Sequence, residues 1–172
     1  SALRRDGTFH VTVADLAESM PNLDELMAEV MGQYERLTGL GFTLSYLDEH
    51  MLVGMVPGLA SRLQEFGKSK GLIVDRVLRE DGSVVGLPGW EGPGEHPGTE
   101  LADHLAGVER GTYLLVGHPG TKDEEMQRLR LPGQRAGEAA VSRNRERRMF
   151  MDIEIVDYCE NVGIELVRYS EL

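Results

Sequence analysis

The sequence carries a single cysteine, Cys159, among 172 residues. One thiol excludes an internal disulfide framework and a zinc site built from cysteines. Aromatic residues are scarce, at 6%, with one tryptophan, Trp90. No apolar run approaches the roughly 20 residues that a membrane-spanning helix needs, and Ser1-Ala2-Leu3-Arg4 does not open a signal peptide. A soluble, cytoplasmic protein with no membrane partner is expected. Basic residues are outnumbered: 18 Lys plus Arg against 29 Asp plus Glu give a net charge of −11. A field of that sign repels phosphate and argues against nucleic acid as a partner. The sequence also lacks a glycine-rich phosphate loop ending in Lys-Ser/Thr, a Gly-x-Ser-x-Gly elbow and a CxxC pair.

What is present reads as one α/β domain over residues 1–172. Asn22 caps a helix whose apolar stripe runs Leu23, Leu26, Met27, Val30, Met31, Tyr34 and Leu37, with Gly39 and Gly41 as the stop. A strand over Phe42–Leu47 leads into Asp48-Glu49-His50. Pro57 opens a second helix with Leu59, Leu63 and Phe66 on one face and Gly67 at its end, and Leu72-Ile73-Val74 is a second strand. Residues 82–98 break the pattern, since nine of these 17 are Gly or Pro. They form a loop by composition, with Trp90 at its centre. A helix begins at Thr99, and Tyr113-Leu114-Leu115-Val116 is the clearest strand. Thr121 with Glu124 forms a capping box. Residues 130–141 are loop-like, helix resumes at Ser142 and again at Asp152, and Ile164–Tyr169 is a terminal strand. Strands alternating with helices point to a parallel sheet or an α/β barrel, in which working residues sit at the carboxyl ends of strands.

Two strands end in histidine-bearing segments. Asp48 and His50 are two apart, so an extended chain turns both to one side. Carboxylate plus imidazole there suits a divalent metal, or a base held by an orienting acid. His118-Pro119-Gly120 leaves the Tyr113–Val116 run and turns at once, which sets an imidazole at the sheet rim for acid or base work; a turn whose histidine bonds a backbone carbonyl is the other reading. Trp90 is either a sugar-stacking platform or the anchor of its loop. Arg143 belongs to a basic cluster with Arg145, Arg147 and Arg148 around Glu146, read as a solvated helix face or as one arginine reaching an acidic site. His96 and His104 read as surface residues and Cys159 as core.

These segments, taken in order, resemble the YdjC-like carbohydrate deacetylases, relatives of the NodB-type polysaccharide deacetylases. The resemblance rests on Glu29-Val30-Met31-Gly32-Gln33, on Tyr46-Leu47-Asp48-Glu49-His50 with Val56-Pro57 downstream, and on Gly117-His118-Pro119-Gly120. Arg143-Asn144-Arg145-Glu146 and Gly163-Ile164-Glu165-Leu166 with Tyr169 and Leu172 extend it. It implies a deformed (β/α) barrel and hydrolytic removal of an acetyl group from an N-acetylated sugar. It also implies a divalent metal, magnesium or zinc, held by one aspartate and two histidines. Carried over, His50 is a metal ligand, and His118 and Asp48 act in catalysis; Trp90 and Arg143 are the residues expected to touch the sugar. The family's opening strand with its Asp-Asp pair, and the histidine after it, find no counterpart here; Asp15 stands alone. The expectation is therefore the C-terminal two-thirds or so of such a barrel, with a catalytically reduced, carbohydrate-binding relative as the alternative. The partner is a small carbohydrate, and the loop around Trp90 leaves a homo-oligomer open.

Overall fold

The computed structural model describes residues 2–129 and 133–172. It is a mixed α/β structure, rich in helix, whose described strands are short and pair in parallel. The chain divides into two compact units, Ser1–Ser83 with Val167–Leu172, and Val84–Leu166.

The first unit opens with helix α1 (Val13–Glu18), capped by Thr12, whose Oγ1 accepts from the Asp15 N–H at 3.1 Å. Helix α2 (Leu23–Gly39) starts where expected, with the Asn22 side chain accepting from the Asp24 N–H at 2.8 Å. Its stripe of Leu23, Leu26, Met27 and Val30 packs on the buried Val56, Leu59 and Leu63. Strand β1 (Tyr46–Leu47) is followed by a 3-10 turn over His50–Met55, helix α3 (Leu59–Lys70), strand β2 (Ile73–Val74) and helix α4 (Asp75–Glu80). β1 and β2 pair in parallel, Tyr46 opposite Ile73 and Leu47 opposite Val74.

Several expectations change here. The strand over Phe42–Leu47 contracts to two residues, because only its end finds a partner; Phe42 is exposed. Gly67 does not end α3. The helix runs on to Lys70 and stops at Gly71, which takes the left-handed φ of 68° that glycine tolerates. Gly67 instead lies inside the helix where a β-carbon would collide with the Val74 side chain, so its missing side chain lets β2 lie close. Pro57 precedes the Gly58 cap rather than opening the helix. Ile164–Tyr169 is not a strand: Tyr169–Glu171 is a 3-10 turn, and Leu166 is 86% exposed. Among the described residues no strand pairs with its alternating pattern.

The second unit pairs strand β3 (Val85–Gly86) in parallel with β4 (Tyr113–Leu114). Helix α5 (Pro97–Ala106) begins two residues earlier than Thr99, with proline in its first turn. It packs against both α7 (Glu138–Phe150) and α8 (Ile153–Val162). Leu101, Ala140, Met149 and Cys159 are buried on these helices, so Cys159 is a core residue. Helix α6 (Glu124–Arg128) is capped by Asp123, not Thr121: the Asp123 carboxylate accepts from the Met126 N–H at 2.8 Å, and the Thr121 hydroxyl bonds that carboxylate. α7 starts at Glu138, ahead of Ser142, so the loop read over 130–141 is shorter than expected; its residues 130–132 lie outside those described. Asp152 caps α8 as expected, accepting from the Glu154 N–H at 3.1 Å. Among the described residues no helix is long and apolar enough to cross a membrane.

Candidate functional site

In the first unit the chain leaves β1 through Asp48, Glu49 and His50. Exposure alternates along it: Asp48 and His50 are exposed, while Glu49 is only 4% exposed. Glu49 is held by a two-pronged ion pair with Arg76, Nε to Oε1 at 2.6 Å and a terminal guanidinium nitrogen to Oε2 at 2.5 Å. Its Oε2 also accepts the Gly54 N–H at 2.9 Å. Arg76's hydrogen bonds hold the Glu49 carboxyl below the usual range despite burial, and Glu49 in turn raises the Arg76 guanidinium. Gly54 has no room for a β-carbon beside this pair. The inward glutamate therefore fixes the backbone that turns Asp48 and His50 outward. Immediately after His50, Met51 and Leu52 adopt left-handed φ values of 53° and 60°. Non-glycine residues adopt this conformation at a cost of about 1–2 kcal/mol each.

The parallel register carries one residue past each strand to Asp48 and Asp75. Both stand at the carboxyl edge, the position that α/β folds use for chemistry. Asp75 is 1% exposed. Its Oδ2 meets Arg79 at 2.5 Å, while its Oδ1 is buried with no hydrogen-bond partner among the described residues. The register sets Asp48 beside Asp75, one residue past the paired Leu47 and Val74. Burial pushes the Asp75 carboxyl up; Arg79 pulls it down and the charge on Asp48 pushes it further up. Tyr169 packs edge-on against Tyr46, ring centres 5.2 Å apart. Its hydroxyl is raised by burial and then by the charges of Asp75 and Asp48. A cavity of about 610 Å³ in the same unit is bounded by Glu29, Gln33, Asp48 and His50, over an apolar floor that includes Leu59 and Leu63. Glu29 accepts from the Gln33 amide at 2.9 Å on its rim.

In the second unit His118 follows β4 and is exposed. Its backbone N–H donates to the Glu146 carboxylate, and its Nδ1 lies 3.8 Å from the same oxygen. Glu146, largely buried, receives Arg143 at 3.3 Å on its other oxygen. The Gly120 N–H donates to the Arg143 carbonyl at 3.0 Å. The His-Pro-Gly turn and the Arg-x-x-Glu stretch of α7 are thus tied to each other, and His118 and Arg143 share one carboxylate. Trp90 is half-buried with its ring centre 5.2 Å from that of His104, and the His104 Nε2 lies 2.9 Å from the Pro88 carbonyl. His104 is therefore not a free surface residue: it anchors the glycine-rich loop on α5. His96 is exposed at the cap of that helix. Arg145 pairs with Glu95 of the same loop.

Asp48 and His50 belong to the first unit, and His118, Trp90 and Arg143 to the second. No local pattern in the sequence singles out Asp75, and Glu49 and Glu146 stand there only as members of their motifs, with no role of their own. A signal existed for one of them: aligning Leu47 with Val74 as neighbouring parallel strands sets Asp48 beside Asp75. The metal test is negative for the ligand set that the resemblance implies. Among the described residues no three of His, Cys, Asp and Glu are grouped as metal ligands.

A family model described as "YdjC-like protein" matches residues 1–161 of the chain. No curated protein matches it.

Proposed function

The chain belongs to the YdjC-like family, and from that premise we propose that it is a hydrolase removing the acetyl group from an N-acetylated sugar or short oligosaccharide, on the deformed (β/α) barrel of that family. The family as a whole is related to carbohydrate deacetylation and generally depends on a divalent metal. His50 is the imidazole this chain offers to magnesium or zinc. One imidazole does not make a site, and the steps below run through the chain's own side chains.

Asp48 is exposed and acceptor-only when ionised, which suits it to take the proton of the attacking water. The water oxygen bonds to the acetamide carbon, the carbonyl becomes an oxyanion, and the C–N bond then breaks. His118 supplies the proton that the leaving amine needs, and the Glu146 carboxylate, 3.8 Å from its Nδ1, orients the ring. Acetate and a free amino sugar result. Trp90 offers a ring face to the sugar and Arg143 a donor to its oxygens, the latter held in place by Glu146. A neutral sugar is compatible with the net charge of −11.

The observation that carries this reading is the family match over residues 1–161. Its test is acetate release from an N-acetylated disaccharide by the magnesium- or zinc-supplemented chain, compared with Asp48→Asn and His118→Ala. Release that both variants abolish supports the reading; equal release by all three overturns it. The missing three-ligand group among the described residues favours a second reading, a catalytically reduced relative that binds sugar without cleaving it. Sugar binding with no acetate release selects that one.

A further inference from the structure

The cavity in the first unit is far larger than the group that the proposed reaction removes. It holds about 610 Å³. An acetyl methyl fills roughly 30 Å³, about the share of one water in the liquid, so an acetamide leaves nearly all of that space to solvent. The lining is largely apolar. Leu16 of α1, Leu26 and Val30 of α2, Val53, and Leu59 and Leu63 of α3 all contribute to it. Leu59 and Leu63 belong to the buried core, and the other four pack on that core while only partly covered. Apolar surface of this extent gains free energy when a ligand covers it. The charge of the lining selects among apolar ligands. Glu25, Glu29, Asp48 and the paired Glu49 bring carboxylates, and no lysine or arginine is among the described lining residues. A fatty carboxylate is repelled there, whereas a neutral chain is not. Asp48 also fixes which end of a substrate enters. The water that it activates in the reaction above attacks the acyl carbon, and the acyl chain is bonded to that carbon.

We propose that this cavity binds the aliphatic acyl chain of an N-acylated amino sugar, a neutral chain several carbons longer than acetyl. The inference rests on the hydrolase reading for its orientation and names the substrate class of that same site. At roughly 30 Å³ per carbon, the seven-carbon tail of an octanoyl group fills about a third of the cavity. The bond cut is the same amide C–N bond: the water oxygen joins the acyl carbon, the nitrogen leaves as the amine, and the acid released carries the chain.

The test is calorimetric binding of N-octanoylglucosamine, N-acetylglucosamine and octyl N-acetylglucosaminide to the whole chain. A fully buried methylene is worth up to about fourfold in affinity. After the cost of ordering the chain, the N-octanoyl sugar should bind about tenfold tighter than the N-acetyl sugar, or more. Leu16→Trp and Val30→Phe narrow the cavity from separate helices and should bring that ratio toward one. Using both keeps the test decisive should either fail to fold. Equal affinity of the N-octanoyl and N-acetyl sugars overturns the proposal, as does a ratio unchanged in folded preparations of these variants. An equal gain by octyl N-acetylglucosaminide, whose chain leaves the other end of the sugar, also overturns it. Binding is read without turnover. A chain-length preference without acid release keeps the acyl-chain site and fails the hydrolase reading; acetate release without that preference does the reverse.

Discussion

Replacing Glu49 with glutamine keeps the shape of a fully enclosed side chain and removes its charge. The glutamate makes two charge-assisted bonds to Arg76, at 2.6 and 2.5 Å, and accepts the Gly54 N–H at 2.9 Å. Glutamine still has one oxygen for Gly54, but its amide turns donors toward a guanidinium that is itself all donors. Breaking a buried pair from one side costs about 3–5 kcal/mol. Arg76 retains 19% side-chain exposure and a second carboxylate, Glu80, at 3.5 Å, which moves the expected loss to about 2–3 kcal/mol. For a chain of this size that is a drop of roughly 5–10 °C in Tm. The pH dependence has a fixed sign. The Glu49 carboxyl is lowered in the fold, so its contribution is complete above the ordinary glutamate value of 4.5 and fades as pH falls through the lowered one. Urea unfolding of wild type and Glu49→Gln from neutral pH into acid should therefore show a gap that narrows on the acid side. A gap below about 0.5 kcal/mol at neutral pH, the range of an ordinary surface substitution, refutes the reasoning, as does a gap that widens in acid.

Three further outcomes follow from local geometry. Met51→Gly relieves a left-handed residue at φ 53° beside His50 and should raise stability by about 0.5–1 kcal/mol once glycine's own entropy is counted; a loss on urea unfolding contradicts the backbone described. Gly67→Ala ordinarily favours a helix, but here its β-carbon meets Val74, so a net loss of about 1–3 kcal/mol is expected with helical circular dichroism retained below the transition. His104→Ala removes the ring against Trp90 and the bond to the Pro88 carbonyl. Because Trp90 is the sole tryptophan, its fluorescence should shift to the red and become more accessible to quencher, and an unchanged spectrum contradicts the anchor.

How much of this was legible in the sequence depends on the range of the interaction. α2 was readable to the residue at its start, because Asn22 and a stripe at helical spacing act within a few positions of one another. The start of α8 at Asp152 and the burial of Cys159 are local in the same sense. Strand lengths were not, since a strand exists only as far as its partner runs; Phe42–Ser45 and Ile164–Tyr169 have the pattern without the ladder. Thr121 and Asp123 both suit a cap, and the choice fell to the residue two positions closer to α6. In the site, the sequence marked Asp48, His50 and His118 by type and place. The residues that set their surroundings lie far along the chain, Arg76 for Glu49, Asp75 for Asp48 and Glu146 for His118, and no local pattern announces such pairs. The family match over residues 1–161 agrees with the resemblance carried by the ordered short motifs, each of which is weak alone.

The central claim is that this chain hydrolyses the acetamide of an N-acetylated sugar. The most direct measurement is acetate released from an N-acetylated disaccharide by the metal-supplemented chain, beside His118→Ala and Asp48→Asn preparations shown to be folded. The account predicts release that continues with time and falls to background in both variants. Release that is absent from the wild type, or that persists unchanged in the variants, contradicts it.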